Sequence, residues 1–313
     1  MLAFLIRRVL ATVPVLLVVA ILVFAMLRLA PGDPVAAIVG DAGSSEHIDK
    51  VRDKLGLNQS LPVQFVHWGS KLLHGDLGES YFIKRPVAEL IGQRMQASLS
   101  LTAITLLLTV GVAVPLGVAA AWRSGGWLDR ILMCISTLGF SVPSFVIAYV
   151  LIWLFGLHLQ WLPVQGYARL NEGLWPWLRH LLLPAATLSL IYMALIARVT
   201  RAAVAEALTE DYIRTARAKG ISELQLLLRH ALANAAIPIV TVIGIGMALL
   251  MGGVVVTETV FAIPGLGQLT VDAVLSRDFP LIQGITLFFA LTYVCINLLI
   301  DLSYLLFDPR IRY

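Results

Sequence analysis

Six apolar runs recur along this chain of 313 residues, at 9–27, 99–121, 131–155, 181–197, 237–256 and 281–300. Each is close to the ~20 residues that carry a helix across ~30 Å of hydrocarbon. Only 13% of the residues are charged against 59% hydrophobic, whereas an ordinary soluble domain carries about 25% charged residues. The runs therefore need lipid around them. The run 237–256 is free of charge and holds Gly244, Gly246, Gly252 and Gly253, which allow helices to approach closely. A membrane β-barrel would instead show ~10-residue alternating segments, and this sequence has none. The pattern predicts an all-α membrane protein with six transmembrane helices.

The first run stands behind Arg7-Arg8 and is 19 residues long, more than the ~7–15 of a secretory signal. Arg28 and the turn Pro31-Gly32-Asp33-Pro34 follow it in place of a cleavage site. It reads as an uncleaved first helix within 1–30, and the arginine pair alone makes no twin-arginine export signal. Residues 31–97 turn polar, with seven Lys/Arg, eight Asp/Glu and helix-like patches at 48–55 and 62–73. This stretch is a folded insert outside the membrane, and 98–313 forms a five-helix core.

Basic residues set the orientation. With the amino terminus inside, Arg7, Arg8, Arg123, Arg130, Arg198, Arg201, Arg214, Arg217, Lys219, Arg229, Arg310 and Arg312 all face the cytoplasm, while the two short outer loops hold only Arg169, Arg179 and Arg277. The positive-inside rule favours this arrangement, which leaves both termini cytoplasmic and the insert extracytoplasmic. Trp161, Tyr167, Trp175 and Trp177 in the outer segment suit an interfacial aromatic belt. The net charge of +4 comes without a basic stripe or aromatic-interleaved groove, so no nucleic-acid partner is expected.

One long inside loop, 198–234, separates the fourth and fifth runs. It opens with helix-favouring sequence in which Glu210 and Arg214 stand at i,i+4. Gly220 supplies a helix stop, Ser222 and Gln225 a capping box, and Ile221 and Leu226 a hydrophobic staple. The result is two short helices joined by a turn, either a linker or an element that transmits movement.

The stretch Asp211-Tyr212-Ile213-Arg214-Thr215-Ala216-Arg217-Ala218-Lys219-Gly220 resembles the coupling loop of binding-protein-dependent importer permeases of the dipeptide, oligopeptide, glutathione and nickel class. The likeness extends through Gly75-Asp76-Leu77-Gly78 with Ser80, Ser141-Val142-Pro143-Ser144-Phe145, Glu258-Thr259-Val260-Phe261, Pro264-Gly265-Leu266-Gly267 and Asp308-Pro309-Arg310-Ile311-Arg312. It matches the first of that class's two permeases. Arg214-Thr215-Ala216 stands where the wider superfamily has Glu-Ala-Ala, so no role of that glutamate carries over. The resemblance implies a permease subunit of the bacterial inner membrane that forms a path for short peptides or peptide-like solutes. Its implied partners are a second permease, two cytoplasmic ATPase subunits using ATP and Mg, and an extracytoplasmic solute-binding protein. The coupling residues would be Asp211, Tyr212, Arg214, Thr215, Ala216, Arg217, Ala218, Lys219 and Gly220, with Ala216 and Ala218 small enough for close approach.

Glu258 is a candidate gate or path residue, or an interfacial residue that packs an outer loop. Asn297 is placed to line the path or to bond a neighbouring helix. Pro143 with Ser144, and likewise Pro115 and Pro184, interrupt spans, as breaks along transport pathways do. Asp301 is expected to pair with Arg310 or Arg312, or to be hydrated. Cys134 and Cys295 read as inert buried thiols. The chain is not expected to be an enzyme and to bind no cofactor or metal. No lysine is followed by Ser or Thr, as a phosphate loop requires, and the histidines are scattered. A channel or receptor subunit and an intramembrane protease are the competing classes. Gly139-Phe140-Ser141 opens like a protease loop, but Val142 replaces the expected glycine, and the coupling-loop likeness discriminates against both.

Overall fold

The computed structural model describes residues 2–29 and 58–307, almost all of them helical. The patch 48–55, the Pro31-Gly32-Asp33-Pro34 turn and the terminus 308–312 lie outside the described residues. In chain order the α-helices are α1 (Leu2–Leu29), α2 (Leu61–Leu73), α3 (Val87–Trp122), α4 (Trp127–Ser141), α5 (Ser144–Leu151), α6 (Leu174–Thr209), α7 (Asp211–Ala218), α8 (Glu223–Gln225), α9 (Leu232–Asn234), α10 (Ala236–Val260), α11 (Leu266–Ser276) and α12 (Phe279–Phe307). A π-helical stretch, Ile152–His158, continues α5, and another, Leu226–Ala231, joins α8 to α9.

Among the described residues five helices are long and apolar enough to cross a membrane: α1, α3, α6, α10 and α12. The remaining run, 131–155, is broken. Here α4 ends at Ser141, Val142 and Pro143 are extended, and α5 restarts at Ser144. Proline has no N–H and its ring disfavours the helical conformation for the residue before it. Pro115 and Pro184, by contrast, lie inside unbroken helices.

Both α3 and α6 have 36 residues, about 54 Å of helix, so each projects beyond ~30 Å of hydrocarbon. Accordingly α3 begins at Val87, ahead of the insert boundary expected at Ala97, and α6 runs on to Thr209, well into the expected loop. The bundle is α3 packed along α6, with α10 against both and α12 against α10. Gly244 of α10 makes the last contact possible, since a Cβ there would lie 1.9 Å from Ile300 Cδ1. Gly252 faces open space, so it plays no such part.

Helix α1 lies along α12. Gln283 Nε2 donates to the Val23 carbonyl at 3.3 Å toward one end, and Arg8 pairs with Asp301 at 2.9 Å toward the other. Phe24 of α1 meets Phe65 and Trp68 of α2 at 5.3 and 5.7 Å between ring centroids. Asp301 thus has Arg8 as a partner, while the expected Arg310 and Arg312 lie outside the described residues. Cys134 and Cys295 are exposed on the helix bundle rather than buried, and both are free.

Candidate functional site

At the carboxyl-terminal end of α3, the short helix α7 is mounted on an aliphatic cluster. Ile213 and Ala216, three residues apart and therefore on one helix face, are 0% and 8% exposed. They pack with Val118 of α3, Val204 and Ala207 of α6, Leu226 and Leu227 of the π-helical stretch, and Ile239 of α10. Full burial of a side chain such as Ile213 contributes about 1.5–3 kcal/mol. Asp211, Tyr212, Arg214, Thr215, Arg217, Ala218 and Lys219 face outward.

The turn after α7 follows from its sequence. Gly220 has φ +77°, its N–H donates to the Arg217 carbonyl at 3.0 Å, and the Ile221 N–H reaches back to the Ala216 carbonyl at 3.3 Å. This is a Schellman motif, in which a left-handed residue lets the chain satisfy the last helical carbonyls. Ile221 and Leu226 both join the aliphatic cluster, as a hydrophobic staple requires. Across the turn Arg217 grips Glu223 with two hydrogen bonds, 2.6 and 3.1 Å, and holds its carboxyl below the usual carboxylate range. Asn234 of α9 donates its Nδ2 to the His230 carbonyl at 2.9 Å.

Three expectations for this segment are corrected. Ser222 makes no side-chain cap bond, so the capping box is not formed. Arg214 pairs with Asp211 at 3.3 Å instead of Glu210, which is the N-cap of α7. Ala216 points into the cluster, because its i−3 relation to Ile213 places it on the buried face, and only Ala218 remains as a small residue on the approach face.

At the other end of α3 the joints are polar. Glu258 of α10 is 0% exposed. One carboxylate oxygen accepts the Ser98 hydroxyl of α3, and the other accepts the Gly267 and Gln268 N–H groups of α11 at 2.7 and 3.1 Å. Ser98 in turn accepts the Leu266 N–H at 2.7 Å. Two glycines of Pro264-Gly265-Leu266-Gly267 leave room for this knot. A Cβ on Gly265 would fall 2.1 Å from Glu258 Oε1, and one on Gly267 would fall 2.5 Å from Val255 Cα. In this structure Glu258 is therefore a buried fastener between α3, α10 and α11.

The Gly75-to-Ser80 motif docks at the opposite end of α11. Asp278, between α11 and α12, is buried and accepts the Ser80 hydroxyl and the Tyr81 N–H, the latter at 3.2 Å. Asn297 is exposed and donates to the Tyr293 carbonyl of its own helix at 3.1 Å, not to a neighbouring helix. Pro143 is the N-cap of α5 and Ser144 its first residue, partly buried at the break.

Sequence reasoning missed Ser98, Asp278 and the pair Asp129–Arg201. Asp129, at the start of α4, is bound by Arg201 of α6 through Nε at 2.8 Å and Nη2 at 2.6 Å, and also accepts the Gly125 N–H at 2.9 Å. The Arg201 guanidinium beside Asp129 holds its carboxyl below the usual carboxylate range. An acidic residue flanking an apolar run among inside arginines was the available signal.

Comparison with known proteins fits this architecture. Residues 113–313 match the family described as binding-protein-dependent transport system inner membrane component, and 1–102 match the description of its N-terminal part. The chain belongs to this family. It is a multi-pass inner-membrane permease subunit of an ATP-binding-cassette importer, and ATP hydrolysis is the work of separate subunits. The family implies a partner permease, an ATPase and a binding protein. A probable peptide ABC transporter permease of Sinorhizobium fredii is 52% identical over 310 residues, covering 99% of each chain. The glutathione transport system permease protein GsiC of Salmonella typhimurium is 42% identical over 314 residues, covering 100% of each. In fold, the chain is similar to a structure of the MetNI methionine ABC transporter in inward-facing conformations, with TM-score 0.56 and 18% identity over 70% of this chain and 96% of that one.

Proposed function

We propose that this permease carries short peptides or peptide-like solutes inward, and that α7 with its Gly220 turn is the contact through which ATPase movement reaches the bundle. The peptide reading is supported by the relatives named for peptide and glutathione transport. The coupling reading rests on one observation: α7 buries one face in a cluster shared with α3, α6 and α10 while its basic face stays exposed. A push on that face is passed to three long helices at once. In the assembled importer this subunit pairs with a second permease, two ATPase subunits that bind ATP and Mg, and an extracytoplasmic binding protein. The excess of basic residues on one side supports an orientation with both termini and α7 in the cytoplasm and the 31–97 insert outside.

Gly220→Val and Ala218→Trp test the contact by different routes. Valine is strongly disfavoured at the positive φ of Gly220 and misplaces the turn. Tryptophan at exposed position 218 leaves α7 mounted but holds a partner away. In the reconstituted importer both variants should stay inserted and lose binding-protein-stimulated ATP hydrolysis and tripeptide uptake. Parent-like stimulation and uptake in both would reduce α7 to a linker. Orientation is read separately, from Ser60→Cys and Ser222→Cys in intact cells: an impermeant thiol reagent should label the first and spare the second.

A further inference from the structure

Against the polar knot at the amino-terminal end of α3 lies a recess of about 320 Å³ lined by Gln93, Arg94, Gln96, Tyr167 and Arg169, with Ala97 and Pro264 at its base. Its walls are fixed. Ala97 precedes Ser98, and Pro264 belongs to the loop that Glu258 ties down, where the Ile263 N–H donates to the Glu258 carbonyl at 2.8 Å. The segment carrying Tyr167 is pinned by the Gly166 N–H on the Phe261 carbonyl at 2.9 Å, and the Tyr167 hydroxyl lies 3.4 Å from the Ser100 hydroxyl.

Two arginines, Arg94 and Arg169, line the recess. Neither Arg94 nor Arg169 has a side-chain hydrogen bond or ion pair to an acidic residue among the described residues; the Arg94 charge acts on the buried Glu258 carboxylate only through space, since that carboxylate is hydrogen-bonded to Ser98, Gly267 and Gln268. Like charges sharing a small concavity repel unless an anion joins them, and guanidinium is the group best shaped to hold a carboxylate through paired N–H donors. Two glutamine amides and a phenol supply further donors and acceptors of the kind a peptide bond needs. The volume is at the lower bound for small-molecule sites.

We infer that this recess receives the carboxylate end of a peptide-like solute, Arg94 and Arg169 holding the carboxylate while Gln93, Gln96 and Tyr167 meet the adjoining peptide group. The inference rests on the peptide reading proposed above and names the part of the solute this chain recognises. A concavity this small favours a solute end over a protein surface. Because its base is the Glu258 knot, occupancy and the packing of α3, α10 and α11 share the same side chains.

The test uses the full importer in liposomes, with trialanine and its C-terminal amide as probes at concentrations that saturate the binding protein. The parent should take up the free acid roughly tenfold faster than the amide, the discrimination expected from a charge-assisted pair. In R94Q/R169Q that ratio should fall to near one, and R94K/R169K, which keeps the charge but not the paired donors, should retain only part of it. A second measurement leaves the binding protein out: trialanine, but not its amide, should protect Gln96→Cys from an impermeant maleimide, and R94Q/R169Q should abolish protection. An unchanged uptake ratio together with unchanged protection would overturn the inference. Equal slowing of both probes with a higher binding-protein requirement would also overturn it, making the recess a docking point for an acidic protein surface. A parent that takes up neither probe would sink the peptide reading and this inference with it, whereas parent uptake with no acid preference would sink this inference alone.

Discussion

The two ends of α3 are held by different forces. Its amino-terminal end is fastened by buried polar groups that join segments 160 and 198 residues apart, Ser98 to Glu258 and Ser80 to Asp278. At its carboxyl-terminal end Val118 and Ala121 meet α7 through an aliphatic cluster, and the polar groups of α7 face outward. A buried hydrogen-bonded carboxylate has one good geometry, so that joint is either made or broken. Aliphatic packing has no comparable directionality, and α7 can shift by small amounts without leaving any donor unpaired. One end suits a latch and the other a mount that receives force.

The contrast is sharpest under substitution. Glu258→Ala leaves the Ser98 hydroxyl and the Gly267 and Gln268 N–H groups without their partner, and should cost about 4 kcal/mol of subunit stability. Thermal unfolding in detergent measures this, and a loss under 1 kcal/mol would erase the distinction between the ends. Ala216→Trp forces a large ring into the aliphatic cluster and should cost about 3 kcal/mol, the upper range for overpacking. It should also displace α7, read as faster proteolysis near Gly220. Asp129→Asn keeps the shape but removes the charge that Arg201 holds through two bonds, for a loss of about 2 kcal/mol.

The smallest effect is one of pH. Glu223 is depressed in the folded state by Arg217, so its contribution is present above the unfolded value of about 4.3 and is lost as pH falls through the lower folded value. Acidification should therefore loosen the turn after α7, seen as faster amide exchange around Gly220 in the parent. In Glu223→Gln that acid-induced change should be absent. A variant as pH-sensitive as the parent would remove the pair from the account.

What the sequence disclosed follows the same division. The turn after α7 was legible because its determinants are local: Gly220 needs a positive φ, and Ile221 and Leu226 lie a few residues apart. Pro143 announced the break between α4 and α5 for the same reason. The latch was not legible, since nothing near Ser98 or Asp278 says which distant residue each will meet. Glu258 drew notice as a charge at a span's end, but only the fold shows that α11 brings two N–H groups to it. Local signals also misled where tertiary packing intervened. Arg214 had an i+4 partner available in Glu210 and took Asp211, and Ala216 looked like an approach residue until Ile213 fixed the buried face.

The central claim is that α7 meets the ATPase and the opposite end of α3 does not. Single cysteines at Ala218 and Gln96, each in the reconstituted importer with a short bifunctional crosslinker, test it directly. Ala218→Cys should crosslink to an ATPase subunit with a yield that changes when ATP is bound, and Gln96→Cys should give no such product. An ATPase crosslink from position 96, or none from position 218 in an assembled and active complex, would contradict the account.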